Sequence, residues 1–268
     1  MKVAALQMTS SADVIANLEE ARDLLQQARD RDACLAALPE NFPFMGLRDA
    51  DKRDIAESPG NGPIQDFLAT SAQRLRLWIV AGTMPMRVEG DGRVSAACLV
   101  YDAQGNRVAR YDKIHLFDVD IPQRAESYRE SAHVAPGREP VVLDTPAGRL
   151  GLSVCYDVRF PELFRCLSAA GAELITVPSA FTAPTGRAHW ETLLRARAIE
   201  NLCHVIAPAQ SGFHANGRET YGDSMIVDHW GRVLQRLPRG RGCIIADVDL
   251  ERQAEARRSF PALDHRVL

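Results

Sequence analysis

Residues 151–162 read Gly151-Leu-Ser-Val-Cys155-Tyr-Asp-Val-Arg159-Phe-Pro-Glu162, and the reading of the whole chain turns on this stretch. The apolar run over 150–154 predicts a buried strand that stops at a cysteine. Pro161 suits the first turn of a helix, which the pattern carries to about residue 170. A strand end followed by a turn and a helix start leaves backbone N–H groups facing the space beside the sulfur. Such a turn suits a nucleophile with an adjacent oxyanion site. On this stretch alone a plain core role for Cys155 stays open, because free cysteine is among the most buried residue types.

Strands and helices alternate on both sides of this stretch. Upstream, 3–8 reads as a short buried strand, and Val14, Leu18, Ala21, Leu25 and Ala28 recur at helical spacing. The apolar run 34–38 ends at Pro39, 63–75 is helical with Pro63 at its start, and 77–82 returns to strand. Segments 94–101 and 107–111 flank the hairpin-like turn Asp102-Ala-Gln-Gly105, as 141–143 and 150–154 flank Thr145-Pro-Ala-Gly148. Downstream, helices over 161–170 and 189–201 alternate with strands at 174–177 and 204–209. Strands at 225–228, 232–236 and 243–248 follow, then a helix over 249–258 capped by Asp249. The connection 117–138 is the one long irregular segment, and connections of that length often belong to a site. With no repeat, low-complexity tract or linker, the chain reads as one domain over 1–268, its sheets covered by helices.

Two further strand ends carry chemistry. Arg110-Tyr-Asp-Lys113-Ile-His-Leu-Phe117 places one of only three lysines, among 32 basic residues, at the end of a buried strand. Lysine is a compact charge whose pKa shifts on burial, so Lys113 suits a thiolate or an oxyanion, while a snorkelling role at a strand edge is the alternative. Leu35-Ala-Ala-Leu38-Pro-Glu40 runs a buried strand into a carboxylate, whose apolar surroundings are expected to raise its pKa toward general-base use. A carboxylate, an ammonium and a thiol converging on one rim supply base, oxyanion stabiliser and nucleophile. His115, two residues past Lys113, offers a papain-like partner for a cysteine instead.

Composition excludes several classes. A net charge of −3 and a pI near 6.2 provide no electrostatic reason for a nucleic-acid partner, and the basic run 236–241, broken by Pro238 and Gly240, reads as a solvated turn. No apolar stretch approaches the ~20 residues of a membrane span, and the N-terminus turns polar too early for a signal peptide, so a soluble cytoplasmic protein is expected. Six cysteines without a CxxC pair read as free thiols. Seven histidines lack ligand spacing, so neither a metal nor another cofactor is expected. Gly60-Asn-Gly62 and Gly90-Asp-Gly92 read as turns rather than phosphate loops, and Trp190 and Trp230 as packing residues.

Taken together, Leu38-Pro-Glu40, Tyr111-Asp-Lys113-Ile-His-Leu and Gly151-Leu-Ser-Val-Cys155-Tyr-Asp resemble the nitrilase superfamily of carbon–nitrogen hydrolases over essentially the full length. The resemblance implies an α/β fold, a four-layer αββα sandwich that dimerises into an αββααββα assembly. It also implies Glu40 as general base, Lys113 as oxyanion stabiliser and Cys155 as nucleophile. Glu130, in the loop after the lysine, matches a second glutamate, and the Tyr156 backbone N–H would complete the oxyanion hole. Arg159, Phe181 and Thr185 are the implied substrate contacts. Tyr156-Asp157 after the cysteine, 178–190, 190–200, 221–228 and the tail at 260–266 look like amidase branches acting on 2-oxo-acid amides. The expected substrate is deaminated glutathione, with 2-oxoglutaramate or 2-oxosuccinamate as the alternative and a non-catalytic scaffold as the third reading. Arg187, where relatives often carry proline, departs from that pattern.

Overall fold

In the first strand Val3 and Ala5 point to one side and Ala4 and Leu6 to the other, yet all four are fully buried. A strand apolar on both faces needs a packed layer on each side. The computed structural model, which describes residues 1–121 and 126–267, supplies those layers. The elements of the first half are β1 (Lys2–Gln7), α1 (Val14–Asp30), β2 (Leu35–Leu38), α2 (Pro63–Leu75), β3 (Trp78–Arg87), β4 (Val94–Tyr101) and β5 (Arg107–Asp112). A small hairpin of β6 (Asp118–Ile121) and β7 (Glu126–Arg129) follows, then β8 (Val142–Thr145) and β9 (Gly148–Leu152). Next come α3 (Pro161–Ala169), β10 (Leu174–Thr176), α4 (Ala183–Asn201), β11 (His204–Ala207), β12 (Ser211–Phe213) and β13 (Glu219–Tyr221). The chain finishes with β14 (Ser224–Val227), β15 (Val233–Leu237), β16 (Gly242–Asp247) and α5 (Leu250–Ser259).

One six-stranded sheet runs β16-β1-β2-β3-β4-β5 and a second runs β15-β14-β11-β10-β9-β8. Each has a parallel centre, β1-β2-β3 and β9-β10-β11, with antiparallel strands at its flanks. Val3, Ala5, Leu35, Ala37 and Val100 of the first sheet share a core with Leu150, Leu152, Val205 and Ile226 of the second, and that core continues to α3 and α4. The alternate residues Ala4, Leu6, Ala36 and Leu38 pack against α1 and α2. The layers are therefore helix, sheet, sheet, helix. Each fully buried Leu or Phe in them contributes roughly 1.5–3 kcal/mol. The helix starts follow from local chemistry: the Asp13 carboxylate accepts from Ala16 N at 3.1 Å at the head of α1, and Asp249 from Arg252 N at 2.9 Å at the head of α5. No helix among the described residues is long and apolar enough to cross a membrane.

Several local expectations change. The connection 117–138 is not irregular throughout: it holds the β6–β7 hairpin and a 3-10 turn at Glu130–Ala132, while 122–125 lie outside the described residues. Helix α4 begins at Ala183, not near 189, because Pro184 is tolerated in a first helical turn and Gly186 is demanded by packing. A Cβ on Gly186 would lie 2.2 Å from Tyr221 Cγ. Trp190 is a packing residue, buried with its Nε1 donating to the Asp223 carbonyl at 2.8 Å. Trp230 is not: it is 59% exposed, edge-on to Phe260. Arg236 belongs to β15 rather than to a solvated turn, and pairs with Asp223 at 2.6 Å.

A register shift between Ala81 and Met84 marks a bulge in β3, beside the end of β2. There Gly82 lies so close to the neighbouring strand that a Cβ would sit 2.0 Å from the Pro39 carbonyl oxygen. Backbone cannot yield as a side-chain tip can. Gly82→Ala is expected to cost about 1–3 kcal/mol in urea unfolding and to lower turnover by displacing the Glu40 segment. Gly92→Ala, which meets open space, is the control and leaves both nearly unchanged.

Candidate active site

Three strand ends meet at one pocket. Glu40 follows β2 by two residues, Lys113 follows β5 directly, and Cys155 lies three residues past β9 on the opposite sheet. All three line a pocket of about 510 Å³, counting space open to solvent, within the ~300–1,000 Å³ range of small-molecule sites. Glu130, Arg159 and Arg218 line it as well. The β3 bulge puts Thr83 Oγ1 where it accepts from Asn41 N at 2.9 Å, and buried Gln210 donates through Nε2 to the Glu40 carbonyl at 3.1 Å. These bonds fix the backbone on which Glu40 rides.

Cys155 opens a 3-10 turn, Cys155–Arg159, with φ of 48°. A non-glycine residue in the left-handed region costs about 1–3 kcal/mol and persists only where its surroundings over-determine it. Here they do. Cys155 N donates to the Pro178 carbonyl at 2.9 Å, and the fully buried Asp157 carboxylate accepts from Val154 N at 2.8 Å. Asp157 also accepts from Tyr111 Oη at 2.6 Å and from His115 N at 3.0 Å, with His115 Nδ1 at 2.7 Å. Tyr111 belongs to β5 and His115 follows it, so one carboxylate ties the lysine strand of the first sheet to the cysteine turn of the second.

Lys113 Nζ donates to Glu40 Oε1 at 2.7 Å and to Glu130 Oε1 and Oε2 at 3.0 and 2.9 Å. Glu40 Oε2 accepts from Ala180 N at 2.9 Å, and Glu130 Oε2 from Phe117 N at 2.6 Å. Burial pulls the Lys113 pKa down, but the charges of Glu130 and Glu40 outweigh it and hold the ammonium well above the ordinary lysine value. Burial likewise raises the Glu40 carboxyl, yet Lys113 wins, and its pKa lies below the ordinary value. That reverses the sequence expectation of a raised Glu40, which weighed apolar surroundings without the buried ammonium. The Cys155 thiol is pushed up, first by burial and then by the Glu40 charge, with Lys113 opposing. At neutral pH the trio rests as carboxylate, ammonium and thiol. The Glu40 carboxylate and that thiol line the same pocket, close enough for the Glu40 charge to act on the sulfur.

The remaining expected residues are also at the pocket. Tyr156 occupies the second position of the 3-10 turn, where an N–H has no acceptor within the helix. Arg159 lies over the Phe181 ring at 5.2 Å, and Phe181 is tilted against Trp190 at 4.9 Å. Thr185 lines the pocket with its hydroxyl 2.8 Å from Thr182 Oγ1. His115 is turned to Asp157 and stacked on Phe160 at 3.7 Å, occupied away from the cysteine. Sequence reading missed Asp157, Ala180 and Arg218. Asp157 had a signal, a carboxylate two residues past the cysteine; Arg218, in a polar loop between short strands, had none.

A family model for carbon–nitrogen hydrolases matches residues 2–258. A Synechocystis protein named deaminated glutathione amidase is 45% identical over 267 residues, covering 98% of this chain and 97% of that protein. A Mus musculus protein of the same name is 42% identical over 269 residues, covering 98% of this chain and 82% of that one. The crystal structure of the C. elegans NitFhit protein matches with a TM-score of 0.93 at 39% identity and covers 99% of this chain, which spans 65% of that longer chain.

Asp157→Asn keeps the shape but turns one acceptor oxygen into a donor among groups that all donate to it. The substitution is expected to lower stability by about 3 kcal/mol in urea unfolding. An unchanged midpoint would show that Asp157 does not tie the two sheets.

Proposed function

The chain belongs to the carbon–nitrogen hydrolase family, and on that premise we propose that it is a cysteine amidase that hydrolyses a small 2-oxo-acid carboxamide, with deaminated glutathione as its substrate. The observation that carries the reading is the buried Lys113, clamped between Glu40 and Glu130 beside the Cys155 thiol. The substrate assignment rests on the relatives named deaminated glutathione amidase.

In this mechanism the amide carbonyl lies between Lys113 and the Tyr156 N–H. Glu40 takes the thiol proton as the Cys155 sulfur bonds to the carbonyl carbon, so no free thiolate has to form beforehand. Negative charge passes to the carbonyl oxygen, where the ammonium and the N–H hold it. Glu40 then protonates the leaving nitrogen, the C–N bond breaks, and an amine departs from a thioester. For deaminated glutathione that amine is cysteinylglycine. Water replaces it, loses a proton to Glu40 and attacks the thioester carbon. Collapse releases the acid, and the departing sulfur recovers the proton from Glu40. Glu130 anchors Lys113 throughout. Arg159, with Phe181 and Thr185 beside it, receives the 2-oxo-acid carboxylate.

The working unit in this reading is the single domain over 1–268, a cytoplasmic homodimer joined through helical outer faces. Exposed Ile199 on α4 and the exposed Trp230–Phe260 pair flank Gly231 on one outer surface, which supports that pairing.

The following outcomes are expected. Purified protein forms 2-oxoglutarate faster from deaminated glutathione than from 2-oxoglutaramate; the reverse order would move the assignment to an ω-amidase using the same residues. Cys155→Ala abolishes turnover with an unchanged circular-dichroism melt, and Lys113→Met lowers kcat by roughly a hundredfold to a thousandfold, as loss of an oxyanion donor does. The acid limb of kcat/KM lies below 4.5, the ordinary glutamate value, because Glu40 accepts a proton only when ionised and its pKa is lowered. Stability linked to Glu40 has the same sign: it is full above that value and lost as pH falls through the lowered one. An acid limb near neutral pH would overturn the ionised resting base.

A further inference from the structure

Two arginines open onto the pocket, and among the described residues neither has a carboxylate within ion-pair distance. Arg159 rises from the cysteine turn, over Phe181 and Tyr156, with Nη1 3.2 Å from His189 Nδ1. Arg218 comes from the loop between β12 and β13. Its guanidinium lies 5.2 Å over the Tyr128 ring, its Nη2 donates to the Ala180 carbonyl, and its buried Nε has no hydrogen-bond partner among the described residues. Lys52, another cation lining the pocket, is paired with Asp49 at 3.2 Å. Arg159 starts from the cysteine turn and lies over Phe181, while Arg218 starts from the β12–β13 loop and holds the carbonyl of the preceding residue, Ala180.

The two arginines can be matched to the two halves of an amide. Glu40 delivers a proton to the leaving nitrogen, so the leaving group lies on the Glu40 side. Arg218 holds the carbonyl of Ala180, whose N–H bonds Glu40, and its charge acts on Glu40. Arg159 stands on the turn that carries the nucleophile, where the acyl half becomes attached. Arg218 commits Nη2 to Ala180, and the N–H groups a guanidinium has left over suit it to a carboxylate.

We infer that Arg218 is a specificity-determining residue that binds a carboxylate on the leaving amine, so that the pocket selects amides flanked by two carboxylates. The inference rests on the amidase reading above and extends it to the leaving-group side. Deaminated glutathione has both anions, the 2-oxo acid at one end and the glycine carboxylate at the other. 2-Oxoglutaramate has only the first, and its leaving group is ammonia.

The test compares three substrates, deaminated glutathione, its C-terminal glycinamide and 2-oxoglutaramate, with wild-type protein, Arg218→Gln and Arg218→Lys. Wild type is expected to prefer the free acid over the glycinamide by about tenfold or more in kcat/KM, carried mainly by KM. Arg218→Gln removes that preference and costs deaminated glutathione at least about ten times more than it costs 2-oxoglutaramate. Arg218→Lys retains part of the preference, since it keeps the charge and loses the fork. Equal constants for acid and glycinamide in wild type, or a parallel loss on all three substrates in Arg218→Gln, would overturn the assignment while leaving the amidase reading intact. A protein that turns over none of the three overturns the amidase reading and this inference with it.

Discussion

A lysine ammonium taken out of water and held by two carboxylates is the constraint around which the site is organised. Lys113 is 2% exposed, with Glu40 and Glu130 at 2.7 and 2.9 Å. Burying such a group costs several kcal/mol unless its charge is met, and the two carboxylates meet it. The same pairing decides protonation. The ammonium holds Glu40 ionised against burial, while burial keeps the Cys155 proton on sulfur. The resting state thus stores no thiolate. In the proposed mechanism proton transfer and carbon–sulfur bond formation are coupled, because charge leaving sulfur has a prepared destination on the carbonyl oxygen.

That pairing depends on two sheets meeting in register, since Lys113 and Glu40 belong to one sheet and Cys155 to the other. Apolar packing between the sheets sets their separation but is tolerant of small slides. Directional bonds are not. Asp157 accepts from groups on both sides of the interface, and Ala180 N–H reaches Glu40 across it. A strained residue at φ 48°, Cys155, is kept in place by the same bonds. Polar contacts at one rim of an apolar sandwich thereby convert a packed interface into a fixed geometry.

Much of this was legible from residue order. Strands and helices came from period-two and period-3.6 apolar patterns, and 63–75 and 94–101 match α2 and β4 residue for residue. Glu40 and Cys155 stood out because each follows an apolar run, and Lys113 as one of three lysines at a strand end, although that strand, β5, is not the buried one expected: within it only Tyr111 is buried. What failed has consistent causes. The first turns of helix α4 lie outside the expected 189–201 stretch because they hold Pro184 and Gly186, one tolerated in a first turn and the other required by contact with Tyr221. The β6–β7 hairpin escaped because short polar strands lack an apolar face to reveal them.

The sequence by itself determined the strands and helices, the strand ends and the residue types of the site, because burial pattern and turn chemistry act over a few neighbouring residues, whereas the four-layer order followed only from the resemblance. Only the tertiary structure decided the sign of the Glu40 shift, the clamp at Asp157 and the meeting of Arg159 and Arg218 at one pocket. Glu40 and Lys113 are 73 positions apart, and Arg218 meets Ala180 from 38 positions away. Electrostatic energy depends on distance and solvent exclusion in space, and neither can be read from separation along the chain.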